Sequence, residues 1–259
     1  VLLNIWDDYH HLQGLAYQQF QLMGINTSAQ VVPLTAAMAG LVTDLDAALA
    51  TNVNFMLGGW IADAMSWADT PADAAMLQMN ARNQLTLWGP GDANLDGKNS
   101  INYYAAKNGY AGLVADYYGG RWALHASYLL ASLQTGVPVN WTAYEVDNLA
   151  FEQAFTYATK TYPTTPTGDP LAAATAALAK YANATTYAAA FVALPGTDAP
   201  DPAGNLMQAW HTDVAVLQRL CVIDPACAGF NTNGWVKWNV TARVTGQPTT
   251  LYVKVAPPQ

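Results

Sequence analysis

The sequence predicts a mainly α protein, a helical bundle-like domain followed by a small mixed α/β appendage. Three observations carry this. Alanine occurs 47 times in 259 residues, and apolar residues through the first three-quarters recur mostly every third or fourth position, the spacing that lines one face of a helix. Glycine and proline cluster where those runs stop. Near residue 195 the texture changes: Pro195-Gly-Thr-Asp-Ala-Pro-Asp-Pro-Ala-Gly204 reads as a linker. Beyond it, segments 234–240 and 250–255 alternate like two strands. The predicted organisation is a helical domain over 1–194, a linker over 195–204 and a cysteine-containing module over 205–259.

Leu2, Ile5, Tyr9, Leu12, Ala16, Phe20 and Met23 mark the first helix, closed by Gly24. Leu34, Met38, Leu41, Leu45 and Leu49 mark the second, with Pro33 placed as a first-turn proline. A third covers residues 57–68. Thr70-Pro71 is a helix start, a capping hydroxyl followed by a proline at the first helical position, and this helix is expected to run to Trp88. Residues 89–99 form a polar loop. Helical pattern resumes near Ser100 and reaches Leu133, with a break expected at Gly109 or at Gly119-Gly120. A helix from about Thr142 to Thr159 ends at Tyr162-Pro163, and Asp169-Pro170 starts an alanine-rich one. A short helix is expected over 206–220.

Composition excludes several classes. With 52% hydrophobic residues, 9 Trp, 14 Tyr and 6 Phe, the chain is not disordered. A formal charge of −8 offers no basic stripe for nucleic acid and no attraction to anionic lipid. No membrane span is expected; the uncharged stretch 122–144 is interrupted by Ser127, Gln134, Gly136, Pro138 and Asn140. The opening residues carry no signal-like apolar region, so the sequence reads as a processed product or a fragment. Asn-x-Ser/Thr triplets at Asn26, Asn140, Asn183 and Asn239 are glycan acceptors if the chain passes the secretory route, although such triplets also arise by chance. Cys221 and Cys227 either close a short disulfide or are two reduced, buried thiols.

Local chemistry is sparse. No phosphate loop, zinc spacing or nucleophile elbow is present, and no cofactor is implied. His10 and His11 point to different helix faces, and His125 and His211 lack partners at ligand spacing. The two glutamates, Glu145 and Glu152, lie seven apart on one helical face. That is about 10 Å along the axis, whereas a retaining glycosidase holds its carboxyls roughly 5–5.5 Å apart. Capping, ion pairing or solvation suit them better. Asn80, Gln84 and Trp88 recur every four residues, and Trp88 borders the predicted loop. An indole there either stacks on the apolar face of a sugar or packs in the core.

The same residues carry a resemblance. Asn80–Pro90, Phe55-Met-Leu-Gly-Gly-Trp-Ile61, Ala111-Gly-Leu-Val-Ala-Asp-Tyr-Tyr-x-x-Arg-Trp122, Phe151-Glu-Gln-Ala-Phe155 and Tyr162-Pro-x-x-Pro-x-Gly-Asp169 resemble, in order, the C-terminal region of the α-N-acetylglucosaminidase family. This is the family of the lysosomal heparan-sulfate glycosidase, and the likeness covers roughly residues 1–185. It implies an all-α domain packed on a catalytic barrel that is not in this sequence. The family removes terminal α-linked N-acetylglucosamine with retention, using two glutamates of that barrel. Glu152 matches a glutamate of the helical domain, not a catalytic one, so no catalytic residue is assigned here. The resemblance places Trp88 at a pocket tryptophan and Tyr104 and Ile101 at two further pocket-lining positions. Asn102 and Tyr103 depart from the pattern, and the loop between Trp88 and Ile101 is longer than in the human-type enzyme. The tail around Cys221, Cys227 and Phe230–Lys237 is similar to PAN/apple-like cysteine modules of secreted proteins.

The expected function is therefore the C-terminal part of a retaining glycosidase, giving one wall of a sugar pocket and inactive alone. Its expected partners are the barrel, on the same or another chain, and a glycan ending in N-acetylglucosamine. The rival expectation is a non-catalytic extracellular structural or glycan-binding protein. Either implies a secreted, extracellular or lysosomal/vacuolar location.

Overall fold

The computed structural model describes residues 2–24, 26–86, 109–181, 191–199, 205–208, 212–223 and 227–255. Eight α-helices among them precede or interleave with five strands: α1 Leu2–Met23, α2 Ser28–Leu49, α3 Leu57–Met65, α4 Pro71–Leu85, α5 Gly119–Thr135, α6 Trp141–Thr156, α7 Pro170–Tyr181 and α8 Val214–Ile223, with β1 Phe191–Asp198, β2 Asn205–Gln208, β3 Gly229–Asn231, β4 Trp235–Lys237 and β5 Val244–Lys254. The mainly α architecture with a small C-terminal sheet follows the sequence expectation.

Most helix limits are set by local chemistry. The Gly24 N–H bonds to the Phe20 carbonyl at 2.9 Å in the left-handed region (φ 68°), which closes α1. Thr70 accepts the Asp73 N–H at 3.1 Å ahead of Pro71, and Asp169 accepts the Ala172 N–H at 2.7 Å ahead of Pro170. The second helix departs from expectation. Asn26 accepts the Ser28 N–H at 2.9 Å, so α2 starts at Ser28 and Pro33 lies inside it, not in its first position. By length and composition α2 is apolar enough to cross a membrane, a property the sequence reading missed. Its buried face is Val31, Leu34, Met38, Leu41 and Val42, the pattern of a bundle helix.

The chain divides into two compact units. One comprises residues 1–38, 132–138 and 177–259, the other 39–131 and 139–176. In the first, an antiparallel sheet of order β1-β5-β3-β4-β2 packs with α8 and α1 around Leu12, Leu15, Leu34, Phe191, Leu217, Leu220, Phe230 and Val236. Two expectations are corrected here. Pro195–Asp198, read as the start of a linker, form the second half of β1, with Pro195 opposite Thr250 and a register shift before Thr197. Proline is tolerated because β1 is an edge strand. The predicted 206–220 helix begins only at Val214, where Asp213 accepts the Ala215 N–H at 2.7 Å. Residues 205–208 pair instead with β4. Cys221 and Cys227 form a buried disulfide, Cα atoms 5.2 Å apart, joining α8 to the approach to β3.

The second unit centres on Leu57, Ile61, Ala81, Leu85, Leu113, Tyr117 and Phe155. Residues 109–112 are non-helical, and no break occurs at Gly119-Gly120, because a π-helical turn, Val114–Tyr118, runs directly into α5. Gly112 has φ +91°, and a Cβ there would sit 2.6 Å from the Tyr162 ring, so only glycine fits.

Candidate functional site

Trp88, Ile101 and Tyr104 lie outside the described residues, as does Asn183. What the structure describes is the framework bordering positions 87–108, namely the last turn of α4 on one side and Gly109–Ala111 on the other. Leu85 and Thr86 are buried, and the Thr86 hydroxyl donates to the Asn83 carbonyl at 3.1 Å. The Tyr118 hydroxyl donates to the Leu85 carbonyl at 3.4 Å. Trp60 donates its indole N–H to the Ala81 carbonyl at 2.9 Å and lies against Tyr110, centroids 6.2 Å apart. The Ala111 N–H bonds to the Phe55 carbonyl at 2.8 Å. Three of the motif blocks named above, 55–61, 80–90 and 111–122, are thus tied together by backbone, indole and phenol hydrogen bonds.

Beneath this framework sits a polar cluster that the sequence reading did not single out. Arg82 is fully buried. Its guanidinium lies 5.3 Å from the Phe155 centroid and 5.2 Å from the Tyr162 centroid, and Nη2 donates to the Lys160 carbonyl. Cation–π contacts of this kind strengthen when desolvated. Lys160 pairs with Asp116, and Asp116 also accepts the Tyr162 hydroxyl at 2.7 Å. Burial first, and then this carboxylate, push the Tyr162 phenol up to about 12, so it stays a donor. Asp46 accepts the N–H groups of Gly112 at 2.7 Å and Ala115 at 3.1 Å. Burial nevertheless raises its carboxyl above the ordinary range, more than those two donors lower it. The available signal was the rarity of cations: ten in 259 residues, with Arg82, Asp116 and Tyr162 all inside the quoted motifs.

The glutamates behave as structural groups. Glu145 is exposed. Glu152 is buried, ion-paired with Arg121 at 3.1 Å and bonded by Asn148 at 3.0 Å; burial raises its carboxyl above the usual range. An arginine-locked carboxylate on the same helix as an exposed one does not form the facing pair that glycoside cleavage needs. Among the described residues no group of three or more His, Cys, Asp or Glu is placed to hold a metal ion. His10 stacks on Trp6 and His125 on Trp141, while His211 lies outside the described residues.

The three other acceptor asparagines are described. Asn26 and Asn140 are exposed and Asn239 is half-buried. Thr241 bonds back to Asn239 through its N–H at 3.0 Å and its hydroxyl at 2.7 Å.

Comparison with known proteins accounts for the framework. A family model described as the alpha-N-acetylglucosaminidase (NAGLU) C-terminal domain matches residues 2–180. Human alpha-N-acetylglucosaminidase is 38% identical over 141 residues, which cover 54% of this chain and 18% of that protein. Two structures of the family 89 glycoside hydrolase from Clostridium perfringens align over 70% of this chain and 20% of theirs. The complex with 2-acetamido-1,2-dideoxynojirmycin gives a TM-score of 0.55 at 24% identity, and that with PUGNAc 0.56 at 23%; at this identity the likeness is one of fold. The chain spans about a fifth of the length of these relatives. The match runs from the first helix to the end of α7 and leaves the C-terminal sheet outside it. By that match, the chain belongs to the alpha-N-acetylglucosaminidase C-terminal domain family.

Proposed function

We propose that this chain is the C-terminal portion of a retaining glycosidase that removes terminal α-linked N-acetylglucosamine. In this reading Trp88, Tyr104 and Ile101 line one wall of the sugar pocket, and the acid and nucleophile are glutamates of a barrel outside the sequence. The observation that supports it is the family match over residues 2–180 of a chain spanning only a fifth of its relatives. The framework bordering positions 87–108 adds support: the end of α4 is held by buried Leu85 and by the Trp60 and Tyr118 bonds to its carbonyls, and a binding group works best on a rigid element. Trp88 would offer its ring face and N–H to the sugar, supplying position and shape, not proton transfer. The disulfide fits an oxidising compartment, and the proposed location is secreted or lysosome-like.

The test has two parts. The isolated chain is incubated with an aryl α-N-acetylglucosaminide, and no turnover is expected. In the barrel-bearing protein, Trp88→Ala is expected to reduce turnover with little change in the unfolding midpoint. Turnover by the isolated chain, or a large fall in midpoint with kcat/KM retained, overturns the proposal. A second reading, a non-catalytic glycan-binding or structural protein, is favoured by the sheet-bearing segment 181–259 beyond the family match. In this reading residues 205–259 are assigned to a PAN/apple-like module of secreted proteins.

A further inference from the structure

We infer that Asn140 carries an N-linked glycan and that its first N-acetylglucosamine rests on the exposed face of Trp141. The acceptor triplet Asn140-Trp141-Thr142 opens α6. Asn140 is exposed and caps the helix, its Oδ1 accepting the Ala143 N–H at 3.1 Å. The cap fixes the carboxamide while leaving Nδ2, the atom that bonds to the sugar, without a hydrogen bond among the described residues. Thr142 is exposed, and its hydroxyl is likewise unengaged among them. At Asn26, by contrast, Nδ2 is directed at the Leu133 carbonyl, 3.5 Å away, and Oδ1 is held by the Ser28 hydroxyl at 2.6 Å.

The adjoining surface is aromatic. Trp141 stacks on His125 at 5.8 Å and meets Tyr144 edge-on at 5.7 Å. Tyr144 in turn meets Tyr128 edge-on at 5.5 Å, and the Tyr128 hydroxyl is tied to Asp147 at 2.6 Å. The indole is braced from two sides yet 42% exposed. A braced indole left facing water is an apolar plate of the kind that packs against the C–H face of a pyranose. The residue preceding it is a glycan acceptor held in one orientation by its helix. The buried disulfide places folding in an oxidising compartment, the setting in which such acceptors are used. The occupant of the plate is therefore the chain's own glycan.

The chain is secreted from a eukaryotic host behind an added leader, and site-resolved glycopeptide masses are read. Asn140 is expected to be occupied. Thr142→Ala, which keeps the asparagine cap, is expected to be bare at that site. The glycan is then either trimmed to its first sugar or removed completely, and hydrogen exchange is followed in the first turn of α6. Exchange in the one-sugar form is expected to be several-fold slower, and the difference is expected to vanish in Trp141→Ala. Comparing the two backgrounds cancels the asparagine-to-aspartate change that complete removal leaves at the cap. A bare Asn140 in the unsubstituted chain overturns the inference. So does a one-sugar effect of equal size with and without the indole.

Discussion

Gly58→Ala isolates the contact that joins two of the motif blocks. Gly58 lies in the first turn of α3 and is buried. An added Cβ would stand 2.2 Å from the Pro163 carbonyl oxygen, 2.4 Å from that of Tyr162 and 2.7 Å from the Pro163 carbonyl carbon. These are backbone atoms, so no side chain can turn aside, and either α3 or the 162–163 segment must move. Overpacking of this kind costs about 1–3 kcal/mol, more when backbone must shift. The helix gains about 1 kcal/mol from replacing glycine by alanine. The net expectation is a loss of about 2 kcal/mol. Gly59 is the control, because its added Cβ would meet only the Met56 Cβ, at 3.9 Å. Gly59→Ala therefore receives the helix gain alone, about 0.5–1 kcal/mol of stabilisation. At ~2–4 °C per kcal/mol for a chain of this size, the two midpoints should separate by roughly 5–10 °C with opposite signs. Scanning calorimetry of both variants measures this. If Gly58→Ala matches Gly59→Ala or exceeds the parent, the close approach of α3 to Pro163 is wrong.

Three further outcomes are expected. Lys237 is buried, bonding the Ala199 carbonyl at 2.7 Å and Asn205 at 2.8 Å, with Asp198 at 3.4 Å. Asp198→Ala leaves that cation uncompensated and should cost about 3 kcal/mol in urea unfolding, whereas Lys237→Met should cost clearly less; the reverse order would refute the pairing. Reduction, or Cys221→Ser with Cys227→Ser, should lower stability by about 2 kcal/mol, the chain-entropy value for so short a loop, seen as loss of the sheet-bearing unit before the helical one. Asp46 and Glu152 have carboxyls raised chiefly by burial. Their contribution is full below the unfolded carboxylate range and is lost as pH rises through the raised folded values, because the native state then binds more protons than the unfolded one. Stability should thus increase as pH falls through the raised folded values toward the unfolded carboxylate range, and Glu152→Gln should flatten that slope; an unchanged slope in the variant would sink the assignment.

The candidate site was legible in part. Phe55–Ile61, Asn80–Pro90, Ala111–Trp122 and Tyr162–Asp169 were recognisable as blocks, and the structure shows why they occur together: Trp60 bonds to Ala81, Ala111 to Phe55, and Asp116 to Tyr162. The anchoring role of Arg82 was not legible. A single arginine in a helix reads as solvated, and only the rings of Phe155 and Tyr162, more than seventy positions away, reveal it as buried.

What the sequence determined by itself was the local part of the fold. Helix ends at Gly24, Thr70-Pro71 and Asp169-Pro170 were readable because a cap is made by a side chain and backbone groups a few residues apart. Alternation in 234–240 and 250–255 likewise foretold β4 and part of β5. Tertiary structure alone decided the long-range assignments. Pro195 and Gly196 carry the signature of a linker, yet pairing with β5 makes them an edge strand, since an edge tolerates a missing N–H. Nothing along the chain told that α1 would share a core with Phe230 and Val236. Hydrophobic burial has no direction along the sequence, so which apolar face covers which is settled only when distant segments compete for the same core.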